Sequence, residues 1–318
     1  MEFLGIDIGG TKCAVIRGNE NGEILAKEKI ATSDAESTLE KIFEIAGRLK
    51  ENSVSVGISC GNPLDSENGI ILSPPNLVGW DNIKIVDMVK ERLGLPAYLC
   101  NDANACAIAE WKFGAGIGSR NMIFMTFGTG MGAGFILDGK LYSGTNGNAG
   151  EIGHIRLEKF GPVGYGKSGS VEGFASGGGI AQLGKIAALE KIQCGESTLY
   201  CNDISELNKV TAKSIADAAK LGDETAISVY KTTGKMLGRI VSILIDIINP
   251  DTIVIGSIYQ RSSELLFESM NEVIEKEALV DSRESVKIVP AMLGDELGDV
   301  AAVALAIECY KKINGELL

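Results

Sequence analysis

The sequence predicts an α/β protein in which strands alternate with helices, and three observations support that expectation. Two apolar runs of strand length, Phe3 to Ile8 and Met122 to Phe127, each end in a glycine-threonine turn. Each then continues as a second strand-like run, Cys13 to Ile16 and Ala133 to Leu137. Helical spacing of apolar residues recurs between such strands. At 318 residues the chain also exceeds a comfortable single core, so two domains are expected. The similarity of the two hairpins points to internal duplication.

The elements follow in order. Ser33 to Asn52 has apolar residues at Leu39, Ile42, Ile45, Ala46 and Leu49 behind capping-box spacings, Ser33 with Glu36 and Ser37 with Glu40. That pattern predicts an amphipathic helix. Val54 to Ser59 alternates as a strand, and Tyr98 to Cys100 is a short strand running into Asn101-Asp102. Helices are expected over Ala103 to Phe113, Thr211 to Leu221, Ala226 to Ile248 and Ser263 to Ala278. Asp251 to Gly256 reads as a buried strand ending in a glycine turn. No low-complexity segment or Pro/Ser-rich linker interrupts the chain, so two domains would share an intimate cleft.

The turns Gly9-Gly10-Thr11-Lys12 and Gly128-Thr129-Gly130-Met131-Gly132 suit phosphate binding. Glycine lets backbone amides approach phosphate oxygens, and threonine adds a hydroxyl donor. Two such turns suggest a fold that grips a nucleoside triphosphate; the alternative is a pair of plain hairpins. A Walker A loop is excluded, because Lys12 leads into the strand-like Cys13-Ala14-Val15-Ile16. Gly128, Gly130 and Ala133 match G-x-G-x-x-A, but a dinucleotide fold needs a helix directly afterwards, and Gly134 to Gly139 reads as strand and turn.

Composition narrows the functional classes. A net charge of −12 opposes nonspecific nucleic-acid binding. The N-terminus lacks a basic signal-peptide region, and the most apolar helical stretch, Ile240 to Ile248, is short and carries Asp246, so no membrane partner is expected. Seven scattered cysteines read as reduced thiols, which makes the cytoplasm the expected location.

Candidate chemistry gathers at a few positions. Asp7, inside an apolar strand, is costly unless it meets a cation or several donors. It is either an indirect magnesium ligand and phosphate-site organiser or a strand-end residue bonding a nearby turn. Asp102 is either a helix N-cap or a general base, since open α/β sheets place ligands at the carboxyl ends of strands. His154 is the only histidine and could be structural. With Glu151 and Glu172 it lies among glycines, in surroundings suited to a polyhydroxylated ligand.

Taken in order, these residues resemble the ROK family of sugar kinases and sugar-responsive repressors, within the actin-like ATPase superfamily. Gly5-Ile6-Asp7-Ile8-Gly9-Gly10-Thr11-Lys12 is similar to the family's first phosphate motif, and Phe127 to Gly132 to its second. Gly61-Asn62-Pro63-Leu64-Asp65 and Pro75-Asn76-Leu77-Val78-Gly79-Trp80 are similar to sugar-domain loops, Asn101-Asp102-Ala103-Asn104-Ala105 to the catalytic segment, and Asn249-Pro250-Asp251 through Gly256 to the adenine approach.

The resemblance implies a duplicated actin-like, ribonuclease H-like fold of two domains around a cleft. Residues 1–115 with a C-terminal helix of about 303–318 would form one domain and residues 116–302 the other. It implies ATP-dependent phosphorylation of a hexose primary hydroxyl, with Asp102 as general base. Gly61, Asn76, Asn101, Asp102, Glu151, His154 and Glu172 would bind sugar. Asp7, Gly9, Gly10, Thr11, Lys12, Gly128, Thr129, Gly130, Gly132, Gly256 and Ser257 would bind ATP and Mg²⁺. A homodimer is expected. Rival expectations are a sugar-sensing repressor, which would need a helix-turn-helix module before the first phosphate strand, and another actin-like ATPase.

The sequence departs from the family pattern at three places. The family's zinc segment, Cys-x-Cys-Gly-x-x-Gly-Cys-x-Glu, corresponds here to Val163-Gly164-Tyr165-Gly166-Lys167-Ser168-Gly169-Ser170-Val171-Glu172, which has no thiol. No structural zinc is therefore expected, and Tyr165 and Phe174, packed against the sugar domain, would hold the loop. Ser257 stands where a second glycine is common. Leu297 to Ala302 matches the usual small-residue helix start only in part.

Overall fold

Strand β1 (Glu2–Ile8) is buried on both faces, which suits the near-continuous apolar run Phe3, Leu4, Ile6 and Ile8. It pairs antiparallel with β2 (Lys12–Asn19) through the first glycine-threonine turn, and β2 pairs antiparallel with β3 (Ile24–Ala31). Helix α1 (Ala35–Leu49) then crosses over to β4 (Ser53–Cys60), which runs parallel to β1. A small antiparallel pair, β5 (Leu64–Asp65) and β6 (Ile70–Ile71), and helix α2 (Ile85–Leu93) lead to β7 (Ala97–Asn101), parallel to β4. Helix α3 (Asp102–Phe113) starts with no intervening loop.

A computed structural model describes residues 1–315, and the chain falls into two units. One comprises residues 1–124, 134–149 and 292 onward; the other comprises 125–133 and 150–291. The chain passes between them within β8 (Met122–Phe127) and β9 (Met131–Leu137), and β10 (Lys140–Tyr142) follows. The second unit continues with a hairpin of β11 (Val163–Gly164) and β12 (Lys167–Ser168), then helices α4 (Val171–Phe174), α5 (Gly177–Gln193), α6 (Ala212–Lys220) and α7 (Glu224–Ile248). Strand β13 (Thr252–Ile255), helices α8 (Ile258–Glu277) and α9 (Val280–Ser285) and strand β14 (Lys287–Pro290) complete it.

The first sheet has the order β3-β2-β1-β4-β7 and the second β10-β9-β8-β13-β14. Both take their first three strands in reverse chain order and then add the fourth and fifth. The duplication expected from the paired hairpins is present in the strand order itself.

Helix α10 (Leu297–Ile313) returns to the first unit and covers one face of its sheet. On that face Phe3, Ala14 and Ile16 meet Ala302, Val303, Ala306 and Ile307. On the other, Leu4, Ile6, Val56 and Ile58 pack under Leu39, Ile42 and Ile45 of α1 and Ile85 and Val89 of α2. Alternation along β1 therefore assigns Phe3, Gly5 and Asp7 to the α10 side. The helix can come this close because glycine lies beneath it. A side-chain carbon at Gly57 would fall 2.2 Å from the Ala302 carbonyl oxygen, and one at Gly5 would fall 2.8 Å from the Ala302 methyl.

Two local expectations are corrected. Helix α1 is capped by Asp34, which accepts the Ser37 N–H at 2.8 Å, and not through either serine-glutamate box. The Ser33 N–H is instead engaged by Thr38 Oγ1, so the chain turns one residue later. The last helix begins at Leu297, earlier than 303, and ends at Ile313; residues 316–318 of the expected span lie outside the described residues. Among the described residues no helix is long and apolar enough to cross a membrane.

Candidate functional site

The first unit brings together Asp7, the first glycine-threonine turn and Asp102. Asp7 is carried by β1 toward the first turn of α10, where a side-chain carbon at Gly298 would lie 3.4 Å from its Oδ2. Burial pushes its carboxyl up to about 6, and the nearby Asp102 charge adds to the rise. A hydrogen bond from Ser59 and the ammonium groups of Lys12 and Lys27 work against it. A buried carboxylate whose proton affinity is raised in this way suits a divalent cation nearby. Mg²⁺ uses only one or two protein carboxylates and takes its remaining ligands from phosphate and water.

That shift has a measurable consequence. The native carboxyl of Asp7 titrates near 6 against 3.8 unperturbed, so between those values the folded chain holds more protons. Stability from this group must fall as pH rises from about 4 to above 6, by up to about 3 kcal/mol. Asp7→Asn should match the parent near pH 4 and exceed it by that order at pH 8, in chelator-treated protein. Parallel stability profiles across this range would show that the carboxyl is not strained.

The turn at Gly9 to Lys12 is held tightly. The Gly9 N–H donates to the Lys12 carbonyl at 3.1 Å, and Thr32 Oγ1 donates to the Gly9 carbonyl at 2.6 Å. Gly10 lies against the backbone of Asn76, whose carbonyl oxygen would be 2.6 Å from a side-chain carbon there. The two loops, assigned from sequence to phosphate and sugar, are thus in direct contact. Thr11, Lys12 and Asn76 are exposed, and the side of Gly61 on which a Cβ would stand is open, with no atom within 4 Å.

The cap of α3 separates the two readings of Asn101-Asp102. Asn101 is the N-cap, its Oδ1 accepting the N–H groups of Ala103 at 3.0 Å and Asn104 at 3.4 Å. Asp102 is the first helical residue and is exposed; one carboxylate oxygen accepts the Ala103 N–H at 2.8 Å. Helix capping therefore rests mainly on Asn101, which sequence reasoning had assigned only to sugar.

The second unit contains a cavity of about 780 Å³ that reaches the second glycine-threonine turn. Gly128 and Thr129 form one end, and Ser257 and Ile258 at the start of α8 stand beside them. Gly177 and Gly178, at the N-terminus of α5, and Thr211 and Asp217, around α6, complete the walls. The start of α5 is capped by Ser176, which accepts the Gly179 N–H at 3.0 Å, while the Gly177 N–H donates to the Gly128 carbonyl at 2.8 Å. A helix N-terminus joined to a glycine turn favours phosphate. Sequence reasoning missed this wall, although Ser176-Gly177-Gly178-Gly179 before an apolar run carried the signal.

Ser257 explains its own departure from the family pattern. Its φ of +54° is one that glycine adopts more readily, and its hydroxyl accepts from Arg261 at 2.9 Å. Gly256 is buried and its N–H donates to the Met125 carbonyl at 2.9 Å.

Glu172 is placed by α4 against the second turn. Its Oε2 accepts the Met131 N–H at 3.2 Å, and a side-chain carbon at Gly130 would lie 2.8 Å from that oxygen. Gly132 follows in β9. Glu151 caps and His154 ends a short 3₁₀ turn, and both are exposed. The loop that lacks the family's cysteines is held by other means. Gln182 of α5 exchanges two hydrogen bonds with the Val163 backbone, at 3.0 and 2.8 Å, and Lys167 donates to the His154 carbonyl at 2.7 Å. Phe174 is buried, filling the space beside Gly161, whereas Tyr165 is 75% exposed and meets only the edge of His154, at 6.2 Å. Phe174 thus packs within its own loop, where packing against the sugar domain was expected, and Tyr165 stays exposed. Among the described residues no group of three His, Cys, Asp or Glu side chains could hold a metal ion.

The sequence profile of the ROK family matches residues 3–309. A glucokinase from Thermotoga maritima is 30% identical over 97% of this chain and 98% of its own length. The crystal structure of a ROK family glucokinase from Streptomyces griseus, in complex with glucose and AMPPNP, is 30% identical, with a TM-score of 0.79 over 97% of this chain and all of that one. A ROK family transcriptional regulator, a homologue of the Escherichia coli MLC protein, is 25% identical, with a TM-score of 0.84 over 97% of this chain and 78% of that one.

Proposed function

The chain belongs to the ROK family, and we propose that it is a cytoplasmic ATP-dependent kinase that phosphorylates the primary hydroxyl of a hexose. The observation that supports this most is near-full-length similarity to a glucokinase in a chain that keeps Asp102 at the mouth of a strand. The cavity ending at Gly128 and Thr129 suits the triphosphate and base of ATP.

In this reading Asp102 accepts the proton of the sugar hydroxyl as its oxygen attacks the γ-phosphorus. Asn101, Asn76, Gly61, Glu151, His154 and Glu172 contact the sugar. The carboxylate of Glu172 is already turned by its bond to Met131, so its remaining acceptor capacity is directional. With the Gly9 and Gly128 N–H groups closing their own turns, the amides at Gly10, Gly130 and Gly132, the Thr11 and Thr129 hydroxyls, and Lys12 offset charge that develops on the phosphates. Asp7 would help hold Mg²⁺, which when bound neutralises phosphate charge. Gly256 and Ser257 border the base.

The kinase reading is favoured over a sugar-sensing regulator of the same fold by the net charge of −12 and by the Asp102 carboxylate. The family resemblance adds a homodimer to the reading. Structural zinc is left out of the reading, because this chain departs from the family pattern there and the hairpin at Val163 to Ser168 offers no thiolate. Elemental analysis should find less than about 0.1 zinc per chain in fully active protein, whereas a structural site needs one. About one zinc per chain, retained through chelation, would overturn that part. The function as a whole is tested by hexose-dependent release of ADP in a coupled assay.

A further inference from the structure

A second cavity, of about 380 Å³, lies within the first unit, and none of its lining residues belongs to the sugar or nucleotide set. Tyr98 of β7, Trp111 of α3 and Leu141 of β10 give it flat apolar walls. Its charged residues are Lys112, Lys140, Lys311 and Lys312 against the single Glu308. Four lysines to one carboxylate is a local reversal in a chain whose net charge is −12.

The aromatic rings and the ammonium groups are organised together. The Trp111 indole is fixed by its Nε1–H, which donates to the Ser119 carbonyl at 2.8 Å. Lys112 Nζ lies 5.0 Å from that ring and pairs with Glu308 at 2.7 Å, so Glu308 is already committed. Lys312 Nζ lies 5.7 Å from the Tyr98 ring. Among the described residues Lys140 and Lys311 have no carboxylate partner. Uncompensated ammonium groups beside a concave apolar surface focus positive potential where an anion can also bury a flat body.

We propose that this cavity binds a small phosphorylated organic molecule, its planar or apolar part against Trp111 and Tyr98 and its phosphate among Lys140, Lys311 and Lys312. The volume suits a single small ligand. The acidity of the rest of the chain opposes a polyanion such as nucleic acid.

Phenyl phosphate is a suitable probe, titrated by calorimetry at low salt into full-length protein saturated with AMPPNP so that the nucleotide cavity is closed to it. Saturable binding of one equivalent is expected, with Kd at or below about 1 mM. Lys140→Ala/Lys311→Ala should weaken it by about tenfold or more, as expected for losing two charge-assisted contacts. Inorganic phosphate, lacking the ring, should bind more weakly, and phenyl phosphate should shift tryptophan emission in the parent but not in Trp111→Phe. Absence of saturation up to about 10 mM would overturn the proposal. So would unchanged affinity in the double variant with parental thermal stability, or equal affinity for inorganic phosphate.

Discussion

Asp102→Asn is expected to lower kcat by about 10²–10⁴, the range for losing a general base, while leaving KM for ATP nearly unchanged. The structure makes this substitution unusually clean. Asn101 Oδ1 carries the cap of α3, so the variant keeps its helix start and should keep its thermal midpoint. Asn101→Ala is the opposing control, because losing the cap costs about 1 kcal/mol of stability. Removing the Asp102 charge should also let Asp7 titrate lower, since their repulsion contributes to its raised value. Near-parental turnover in Asp102→Asn would remove the base from the mechanism.

Gly57→Ala should be among the most damaging single-methyl additions in the first unit. The added carbon would fall 2.2 Å from the Ala302 carbonyl oxygen and 2.3 Å from the Ala306 nitrogen. Both are helix backbone atoms that cannot rotate away, so α10 must lift from β4. The expected loss is about 3 kcal/mol or more, read by urea denaturation. Gly47→Ala is the matched control: that position in α1 has no atom within 4 Å, and the change should gain about 0.5–1 kcal/mol. A loss below about 1 kcal/mol at Gly57 would mean that the helix–sheet contact is looser than described.

Much of the fold was legible because it rests on local pattern. Both hairpins follow apolar runs with glycine-threonine turns, and the long amphipathic α1 and α7 announce themselves by spacing. Elements with weaker periodicity were not read. The second-unit helix α5 mixes glycine, alanine and lysine around its girth, and β14 is four residues long with one proline. The start of α10 was legible only in part, as the small-residue stretch Leu297 to Ala302, because those residues face glycines in the sheet, a tertiary constraint that no local window contains.

The site was legible in a similar proportion. Asp7 and the two turns stand out by costly or permissive residues in apolar strands. The division of labour between Asn101 and Asp102 could not be read, since both residue types cap helices and only backbone geometry separates them. The cavity proposed for the nucleotide draws walls from α5, α6 and α8, which lie far apart in sequence, and only Gly128, Thr129 and Ser257 of its lining were named from sequence.

The central claim is phosphoryl transfer to the primary hydroxyl of a hexose, and ADP release measures it most directly. A hexose panel run with ATP and Mg²⁺ should identify a sugar that raises ADP release by about 100-fold or more over ATP alone, a modest share of what a positioned base and acceptor supply together. The 6-deoxy form of that sugar should bind competitively and release no ADP above the background. Equal ADP release with the 6-deoxy sugar, or a rate indifferent to every hexose, would contradict the account.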